Sequence, residues 1–192
     1  MMHRAAFLDR DGVINIDHAY VHKQEEFEWV PGVLEAARAL HEAGFLLVVV
    51  TNQSGIGRGY YSEEDFKRLT EWMKAEFARA GAPLSGVYFC PHHPEKAVGA
   101  YRMECGCRKP APGMLTRAAA ELGIDLSRSV MFGDKPGDME AGSLAGCPHR
   151  IMLGKDGREA PLASTHRTGA YASLLDAVRS PWGRQLLNRN DK

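Results

Sequence analysis

The stretch AAFLDRDGVIN, residues 5–15, places a short apolar run directly before two carboxylates, Asp9 and Asp11. A second apolar run, FLLVVV at residues 45–50, has the uninterrupted pattern of a strand that is covered on both faces. Acidic residues are common in surface turns, so the meaning of Asp9 and Asp11 depends on the residues that end the other strands. The remainder of the chain therefore decides between an exposed turn and a functional site.

Segments with strand and helix patterns alternate along the chain. Strands are predicted at residues 5–8, 45–50, 86–90, 129–134 and 148–153, and helices at residues 31–44, 62–81, 111–123, 138–146 and 172–180. This alternation predicts an α/β fold with a Rossmann-like parallel sheet that carries helices on both faces. The length of 192 residues suits one domain, which we place at residues 1–182, followed by a polar C-terminal tail at 183–192.

The charge balance and hydropathy exclude several classes of protein. Lysine and arginine total 24, as do aspartate and glutamate, so the formal net charge is zero and the basic excess of a nucleic-acid-binding protein is missing. No apolar run approaches the roughly 20 residues of a membrane helix, and the N-terminus lacks a signal-peptide pattern. We expect a cytoplasmic monomer that binds neither nucleic acid nor membrane.

The carboxyl ends of parallel strands share one edge of a sheet, where ligands bind. Each of the first four predicted strands ends in polar or metal-binding side chains, namely Asp9 and Asp11, Thr51 and Asn52, Cys90, and Asp134 with Lys135. Unrelated surface turns are not expected to produce such a set. Carboxylates suit Mg²⁺, whereas a hydroxyl and lysines suit a phosphate, so the edge is predicted to carry out phosphoryl transfer.

Three of the four cysteines, together with a histidine, form a candidate zinc site within residues 90–107, called here the zinc loop. The ligands would be Cys90, Cys105, Cys107 and either His92 or His93. Free thiols and a disulfide are the alternatives, although a reducing compartment favours metal. A closed set of four ligands would be structural and would fix the backbone of Arg108 and Lys109, which follow Cys107 directly.

Four motifs give the chain its resemblance to the haloacid dehalogenase superfamily of phosphatases. DRDGV at residues 9–13 matches DxDx(T/V), Thr51 ends a hydrophobic strand, Lys109 supplies the third motif, and GDKPGD at 133–138 matches GDxxxD. One such motif is weak evidence, but four in the correct order are specific. The resemblance implies an uncapped phosphatase, without a large cap domain and with the zinc loop as an insertion.

The resemblance also implies roles for the residues at the strand ends. Asp9 would be the nucleophile, Asp11 the general acid and base, and Thr51 and Lys109 would hold the transferring phosphoryl group. Mg²⁺ would be bound by Asp9, the main-chain carbonyl of Asp11, and Asp134. Asp138 would support the metal site or a lysine, although a helix N-cap is an alternative for this residue.

Members with a similar zinc loop, CPHHP followed by CGCRKP, act on a phosphorylated sugar and use the first histidine, which favours His92. The implied substrate contacts are Asp17, His18, Ala19, Tyr20, Thr51, Asn52, Gln53, Ser54, Arg108, Lys109 and Lys135. Arg108 would bind a distal phosphate through its two-pronged guanidinium. Loops 17–23, 54–61 and 91–107 would form the walls. A histidinol-phosphate phosphatase and a non-catalytic zinc-binding interaction module are the alternatives.

Overall fold

The apolar segment Ala5–Leu8 forms β1, a central strand of a parallel sheet. The other strands are β2 (Leu46–Asn52), β3 (Leu84–Cys90), β4 (Val130–Gly133), β5 (His149–Leu153) and β6 (Gly169–Tyr171). The sheet has six strands in the order β3-β2-β1-β4-β5-β6, and every pair is parallel. This computed structural model describes residues 2–154 and 166–188.

Helices cover both faces of the sheet, as the alternation predicted. They are α1 (Val33–Glu42), α2 (Ser54–Gly57), α3 (Glu63–Arg79), α4 (Gly113–Leu122), α5 (Pro136–Ala145), α6 (Leu174–Arg179) and α7 (Pro181–Leu187). Ala6 and Leu8 of β1 belong to the core that contains α1, α3, α6 and α7. Ala5 and Phe7 belong to the opposite core, with α4 and α5. The continuous apolar strands follow from this burial on both faces.

Two helices begin with the caps that their sequences encode. The Ser62 hydroxyl accepts a hydrogen bond from the Asp65 amide, and the Asp65 carboxylate accepts one from the Ser62 amide. Pro136 is the first residue of α5, where a missing N–H costs nothing, and the Asp138 side chain accepts from the Lys135 amide. Lys135 is therefore the N-cap residue, and Asp138, for which an N-cap was the alternative interpretation, is the third residue of the helix and caps through one carboxylate oxygen.

Three elements were not predicted from the sequence: α2, β6 and α7. The predicted tail was expected to start at Gly183, yet α7 continues through this position to Leu187. The cause is local: the Ser180 hydroxyl accepts from the Gly183 amide, Pro181 starts the helix, and Leu186 is buried in the core. Residues 189–192 of the predicted tail lie outside the described residues, and the division into one domain and a tail stays a prediction.

β2 also ends later than predicted, because Thr51 and Asn52 continue its pairing with Phe89 and Cys90 of β3. These two polar residues therefore have strand geometry rather than loop geometry. In the part of the chain that the structure describes, no helix combines the length and the apolar character needed to cross a membrane.

Candidate active site

A pocket of about 430 Å³ lies where β1, β2 and β4 end, and its walls include the first residues after the zinc loop. Asp9 and Asp11 come from the end of β1, Asn52 and Gln53 from the end of β2, and Lys135 from the loop after β4. The sheet order places β1 between β2 and β4, so these three ends are adjacent. The structure thus brings together the edge residues that the sequence predicted.

Lys109 forms the positively charged floor of this pocket. Its ammonium lies 3.0 Å from Asp9 Oδ1 and 2.6 Å from Asp138 Oδ1, and it donates to the Val50 carbonyl at 2.8 Å. Burial opposes the charge on Lys109, but Asp138 and Asp9 outweigh it and raise the pKa of the ammonium. Lys109 is therefore a fixed cation at the pocket floor.

Asp9 is the buried carboxylate beside this cation. Burial raises the pKa of Asp9 to about 6, with Lys109 lowering it and Asp138 raising it. The Asp9 amide donates to the Phe132 carbonyl at 3.0 Å, and Asp9 Oδ1 accepts from the Arg10 amide at 2.8 Å. At neutral pH the carboxylate is mainly ionised and is held rigidly, which suits a nucleophile.

Asp134 provides the observation that tests the site for a cation. Its Oδ1 is buried, and no hydrogen-bond donor within residues 2–154 and 166–188 reaches this atom. Carboxylate oxygens of Asp9, Asp134 and Asp138 all lie within 4.8 Å of one another. Burial, and then the charge of Asp9, raise the pKa of Asp134 to about 7. An unsatisfied buried carboxylate beside other carboxylates fits a hard divalent cation such as Mg²⁺.

Two glycines allow this close approach. Gly12 has φ of +91°, and a Cβ there would lie 2.2 Å from Asp134 Oδ2. A Cβ on Gly133 would lie 2.2 Å from the Asp138 Cβ. A side chain at either position would displace a carboxylate of the site.

Asp11 accepts hydrogen bonds from three side chains. Its Oδ1 accepts from Arg10 Nη2 at 2.9 Å and from Asn15 Nδ2 at 3.0 Å, and its Oδ2 accepts from Gln53 Nε2 at 3.0 Å. Arg10 Nη2 also donates to the Val21 carbonyl, so it joins Asp11 to the loop after β1. The Asp11 carboxylate is consequently held apart from the acidic cluster, as expected if only its main chain serves a metal.

At the end of β2, the side chain of Asn52 forms hydrogen bonds with the backbone of Lys109. The Asn52 side chain donates to the Lys109 carbonyl and accepts from the Lys109 amide, both at 3.0 Å. Thr51 is buried with 1% of its surface exposed, and it is not among the residues that line the pocket. Asn52, Gln53 and Ser54 do line the pocket. The side chain of Asn52 therefore orients Lys109, a contact that the sequence did not indicate.

The predicted substrate loop reaches the pocket with Asp17, Ala19 and Tyr20. Ala19 and Tyr20 have φ of 60° and 58°, an uncommon left-handed conformation for residues with side chains. The structure does not bring His18 to the pocket, because its ring pairs with Glu28 at 2.7 Å and lines a neighbouring cavity of about 390 Å³.

Lys135 and Asp17 both line the pocket, and Lys135 Nζ lies 3.2 Å from Asp17 Oδ2. The Asp17 carboxylate also accepts from the Ala19 amide at 3.0 Å. Burial opposes ionisation of Asp17, but the Ala19 amide and then Lys135 outweigh it and lower its pKa. Arg108 is the other cation at the pocket wall, and it donates to the His92 carbonyl at 3.3 Å.

The predicted zinc ligands form one compact cluster. Sγ of Cys107 lies 3.2 Å from that of Cys90 and 3.3 Å from that of Cys105, and His92 Nδ1 lies 3.5–3.6 Å from two of the sulfurs. A tetrahedral zinc with bonds of about 2.3 Å separates its ligands by about 3.7 Å, whereas a disulfide needs about 2.05 Å. The cluster fits zinc, and these cysteines are not disulfide-bonded.

His93, the other candidate ligand, is engaged elsewhere. Its Nδ1 accepts hydrogen bonds from the amides of Glu95 and Lys96. Cys147 is a buried free thiol and does not belong to the cluster. The choice of His92 rather than His93 therefore agrees with the geometry.

Sequence reasoning gave no role to Tyr61, Arg10 or Asn15. Tyr61 lines the pocket and donates to Gln53 Oε1, while Arg10 and Asn15 hold Asp11. Arg10 is 1% exposed, which the sequence does not suggest because arginine is normally a surface residue. The one available signal was the position of Arg10 between the two aspartates.

Comparison with known proteins gives consistent matches along the chain. Residues 3–146 match the family model described as haloacid dehalogenase-like hydrolase. The chain is 53% identical to the D-glycero-beta-D-manno-heptose-1,7-bisphosphate 7-phosphatase of Vibrio cholerae serotype O1, covering 91% of this chain and 92% of the relative. It is 55% identical to the corresponding alpha-heptose enzyme of Burkholderia mallei, covering 80% and 81% of the two chains.

A solved structure extends these matches to the fold. The D,D-heptose 1,7-bisphosphate phosphatase of B. bronchiseptica, solved in complex with magnesium and phosphate, superposes with a TM-score of 0.79. Its sequence identity to this chain is 30%, and the match covers 97% of this chain and 99% of the other.

Proposed function

The chain belongs to the haloacid dehalogenase-like hydrolase family and is a phosphatase, and from this premise we propose that it removes the 7-phosphate of D-glycero-D-manno-heptose 1,7-bisphosphate. The observation that carries the proposal is the separation of positive charge in the pocket. Lys109 lies buried beside Asp9, whereas Arg108 and Lys135 lie on the walls. A substrate with two phosphates can present one to the floor and the other to the walls.

Asp9 is the nucleophile in this proposal. One of its carboxylate oxygens attacks phosphorus, the bond to the sugar oxygen breaks, and an aspartyl-phosphate forms. The nearby Lys109 ammonium and the Thr51 hydroxyl stabilise the charge on the transferring group. Because the pKa of Asp9 is about 6, its oxygens are available without prior deprotonation at neutral pH.

Asp11 moves the protons of both steps. It protonates the departing sugar oxygen and then removes a proton from the water that attacks the aspartyl-phosphate. Mg²⁺, held by Asp9, Asp134 and the Asp11 carbonyl, would supply positive charge that offsets repulsion between the nucleophile and the phosphate dianion. Asp138 orients Lys109 rather than the metal, since Lys109 occupies its Oδ1.

Zinc in the Cys90, His92, Cys105 and Cys107 cluster has a structural role in this proposal. A four-ligand protein site leaves no position for a reactive water. Cys107 would be the last ligand, and Arg108 and Lys109 follow it directly, so a bound zinc would brace the segment that carries both cations.

The proposed reaction belongs to the cytoplasmic synthesis of nucleotide-activated heptose for lipopolysaccharide, catalysed by a monomer. Histidinol phosphate is disfavoured as the substrate, because it carries an ammonium group where Arg108 and Lys135 offer positive charge. Similar relatives are named for both anomers of the bisphosphate, at 53% and 55% identity. The proposal therefore includes both anomers.

The test is phosphate release by the purified chain with Mg²⁺ from each heptose bisphosphate anomer, from histidinol phosphate, and from heptose 1-phosphate as a control. We expect the highest kcat/KM for a bisphosphate anomer, with phosphate lost from carbon 7 by NMR. A higher kcat/KM for histidinol phosphate would overturn the substrate. Failure to hydrolyse any phosphate ester would favour a non-catalytic zinc-binding module.

A further inference from the structure

Gln53 is buried in the pocket wall, and its polar groups are engaged within the protein. Its Nε2 donates to Asp11 Oδ2 at 3.0 Å and to Thr51 Oγ1 at 2.8 Å, and its Oε1 accepts from the Tyr61 hydroxyl. Its backbone amide donates to the Cys90 carbonyl at 2.8 Å. Both side-chain hydrogens and the main-chain hydrogen are used, so Gln53 has no donor left for a substrate.

The chemistry of the partners allows only one orientation of the Gln53 amide. An ionised carboxylate only accepts hydrogen bonds, so nitrogen must face Asp11, and oxygen must then face Tyr61. Burial raises the pKa of Tyr61 to about 12, which keeps its hydroxyl a donor at neutral pH. Because Thr51 Oγ1 accepts from Gln53, its own hydroxyl proton stays available for a phosphoryl oxygen.

The hydrogen bonds to Asp11 also distinguish its two oxygens. Oδ1 accepts from both Arg10 and Asn15, which uses its two in-plane lone pairs. Oδ2 accepts only the bond from Gln53 among the hydrogen bonds described, and so keeps one lone pair. The proton that Asp11 transfers is thereby assigned to Oδ2, the oxygen that Gln53 contacts.

We propose that Gln53, oriented by Tyr61, is a positioning residue that fixes the proton-carrying oxygen of Asp11 relative to the hydroxyl of Thr51. This inference rests on the proposed phosphatase function and replaces the substrate contact that the sequence implied for Gln53. In the first step, the proton on Asp11 Oδ2 moves to the sugar oxygen as the phosphorus–oxygen bond breaks. In the second step, the same oxygen accepts a proton from the attacking water.

The position of a general acid matters in proportion to the basicity of the leaving group. A sugar alkoxide needs the proton, whereas the nitrophenolate of p-nitrophenyl phosphate leaves without one. The measurement is kcat/KM, which reports on transfer to Asp9, for heptose bisphosphate and p-nitrophenyl phosphate. The variants are Gln53→Met and Tyr61→Phe, with Tyr88→Phe as a matched control, because Tyr88 donates to Glu121 outside the pocket.

We expect Gln53→Met to lower kcat/KM for the sugar ester by about 100-fold, the lower end of the usual contribution of a general acid. The loss for p-nitrophenyl phosphate should be less than about 10-fold and reflect Thr51 alone. Tyr61→Phe, which removes one hydrogen bond, should lower the sugar-ester value by about 3- to 10-fold and the aryl-ester value by less than about 2-fold. Tyr88→Phe should change neither.

Equal losses for both esters in both variants would assign Gln53 and Tyr61 a purely structural role and overturn the inference, as would no loss for the sugar ester. If Gln53→Met does not fold, Tyr61→Phe decides alone, since it keeps the ring that stacks on His22 at 4.9 Å. If the wild type prefers another alkyl phosphate, that ester replaces heptose bisphosphate in the ratio, and only the proposed substrate fails. A wild type that hydrolyses neither ester refutes the proposed function itself.

Discussion

Two clusters within residues 2–154 and 166–188 have side chains that could hold a metal ion, and they differ in almost every respect. The cysteine and histidine cluster comes from one segment, residues 90–107. In it, Cys107 Sγ lies 3.2 Å from Cys90 Sγ and 3.3 Å from Cys105 Sγ. The carboxylate cluster of Asp9, Asp134 and Asp138 comes from segments far apart in sequence, at the ends of two strands and in a helix. The side chains of the first cluster are brought together by one loop, whereas those of the second are brought together only when the sheet forms.

The difference shows that structural support and chemical reactivity are assigned to separate clusters. The zinc cluster offers four soft ligands, a closed set that leaves no room for substrate. The carboxylate cluster offers hard oxygens and has a lysine against two of its three members, and its Asp134 Oδ1 has no hydrogen-bond partner among the described residues. Damage to the carboxylate cluster should therefore remove the reaction and spare the fold, and damage to the zinc cluster should harm both.

The largest effect is expected for Asp9→Asn, which removes the nucleophile. We expect kcat to fall at least about 1,000-fold. The melting temperature should stay the same or rise, because the buried carboxylate with a pKa of about 6 carries an energetic cost at neutral pH that the amide lacks. Phosphate release and thermal unfolding measure the two quantities. More than about 1% residual activity would contradict the assignment of Asp9.

The second largest effect is expected for Cys107→Ser, which tests the zinc cluster separately from the carboxylate cluster. Cys107→Ser should reduce bound zinc, lower the melting temperature by about 10 °C, and lower kcat/KM by about 10- to 100-fold, because the adjacent Arg108 and Lys109 lose their support. Cys147→Ala is the matched control, since Cys147 is a buried thiol outside the cluster. Metal analysis should find full zinc in this control. Normal zinc content in Cys107→Ser would refute the ligand set.

The third effect is a change of stability with pH, which the carboxylate cluster should cause when magnesium is not bound. Folding raises the pKa of Asp9 from 3.8 to about 6 and of Asp134 from 3.8 to about 7. Both groups therefore bind protons more tightly in the folded state, so their contribution to stability is complete below about pH 4 and is lost as the pH rises through about 6–7.

Thermal unfolding in magnesium-free buffer, without a chelator so that zinc remains bound, should show this decline between about pH 4 and pH 7. Millimolar Mg²⁺ should reduce the decline, because a cation favours the ionised carboxylates. Asp134→Asn should flatten the magnesium-free curve relative to the wild type, which separates Asp134 from histidines that titrate in the same range. An unchanged slope in this variant would show that Asp134 does not contribute.

The smallest effect is expected at the exposed rim of the pocket. The Lys135–Asp17 pair is 3.2 Å long with side chains 59% and 37% exposed, and such pairs contribute less than about 1 kcal/mol. Asp17→Asn should therefore shift the melting temperature by less than about 3 °C.

Lys135→Met should raise KM for heptose bisphosphate by about 10-fold, because it removes a cation from the pocket wall. An unchanged KM would remove Lys135 from substrate binding.

Sequence alone identified the residues that can be recognised from their neighbours in the chain. The DRDGV and GDKPGD segments each follow a strand, and a parallel sheet necessarily brings strand ends to one edge. The candidate zinc ligands are close in sequence, so their spacing indicated the cluster, and the resemblance to known phosphatases favoured His92 over His93. The sheet, its helices on both faces, and the family were predictable for the same reason, and each is confirmed.

Sequence named Asn52 and Gln53 as substrate contacts but missed the hydrogen bonds that they form with distant segments. Gln53 reaches Asp11 from a different strand end, and Asn52 reaches the backbone of Lys109 across the pocket. Neither contact has a spacing that could be recognised. His18 was expected at the pocket because of its neighbours, but Glu28 pairs with its ring instead. α7 was overlooked because it has only seven residues and a polar segment follows it in the sequence.

Gly12 and Gly133 have a consequence for how this site can change over time. At each glycine a methyl group would collide with an acidic side chain, so bare backbone lies against Asp134 and Asp138. The tolerance of the site to substitution is therefore governed by absent side chains as well as by reactive ones. Evolution of new substrate preference has to proceed through the outer loops, where side chains can grow without displacing a carboxylate.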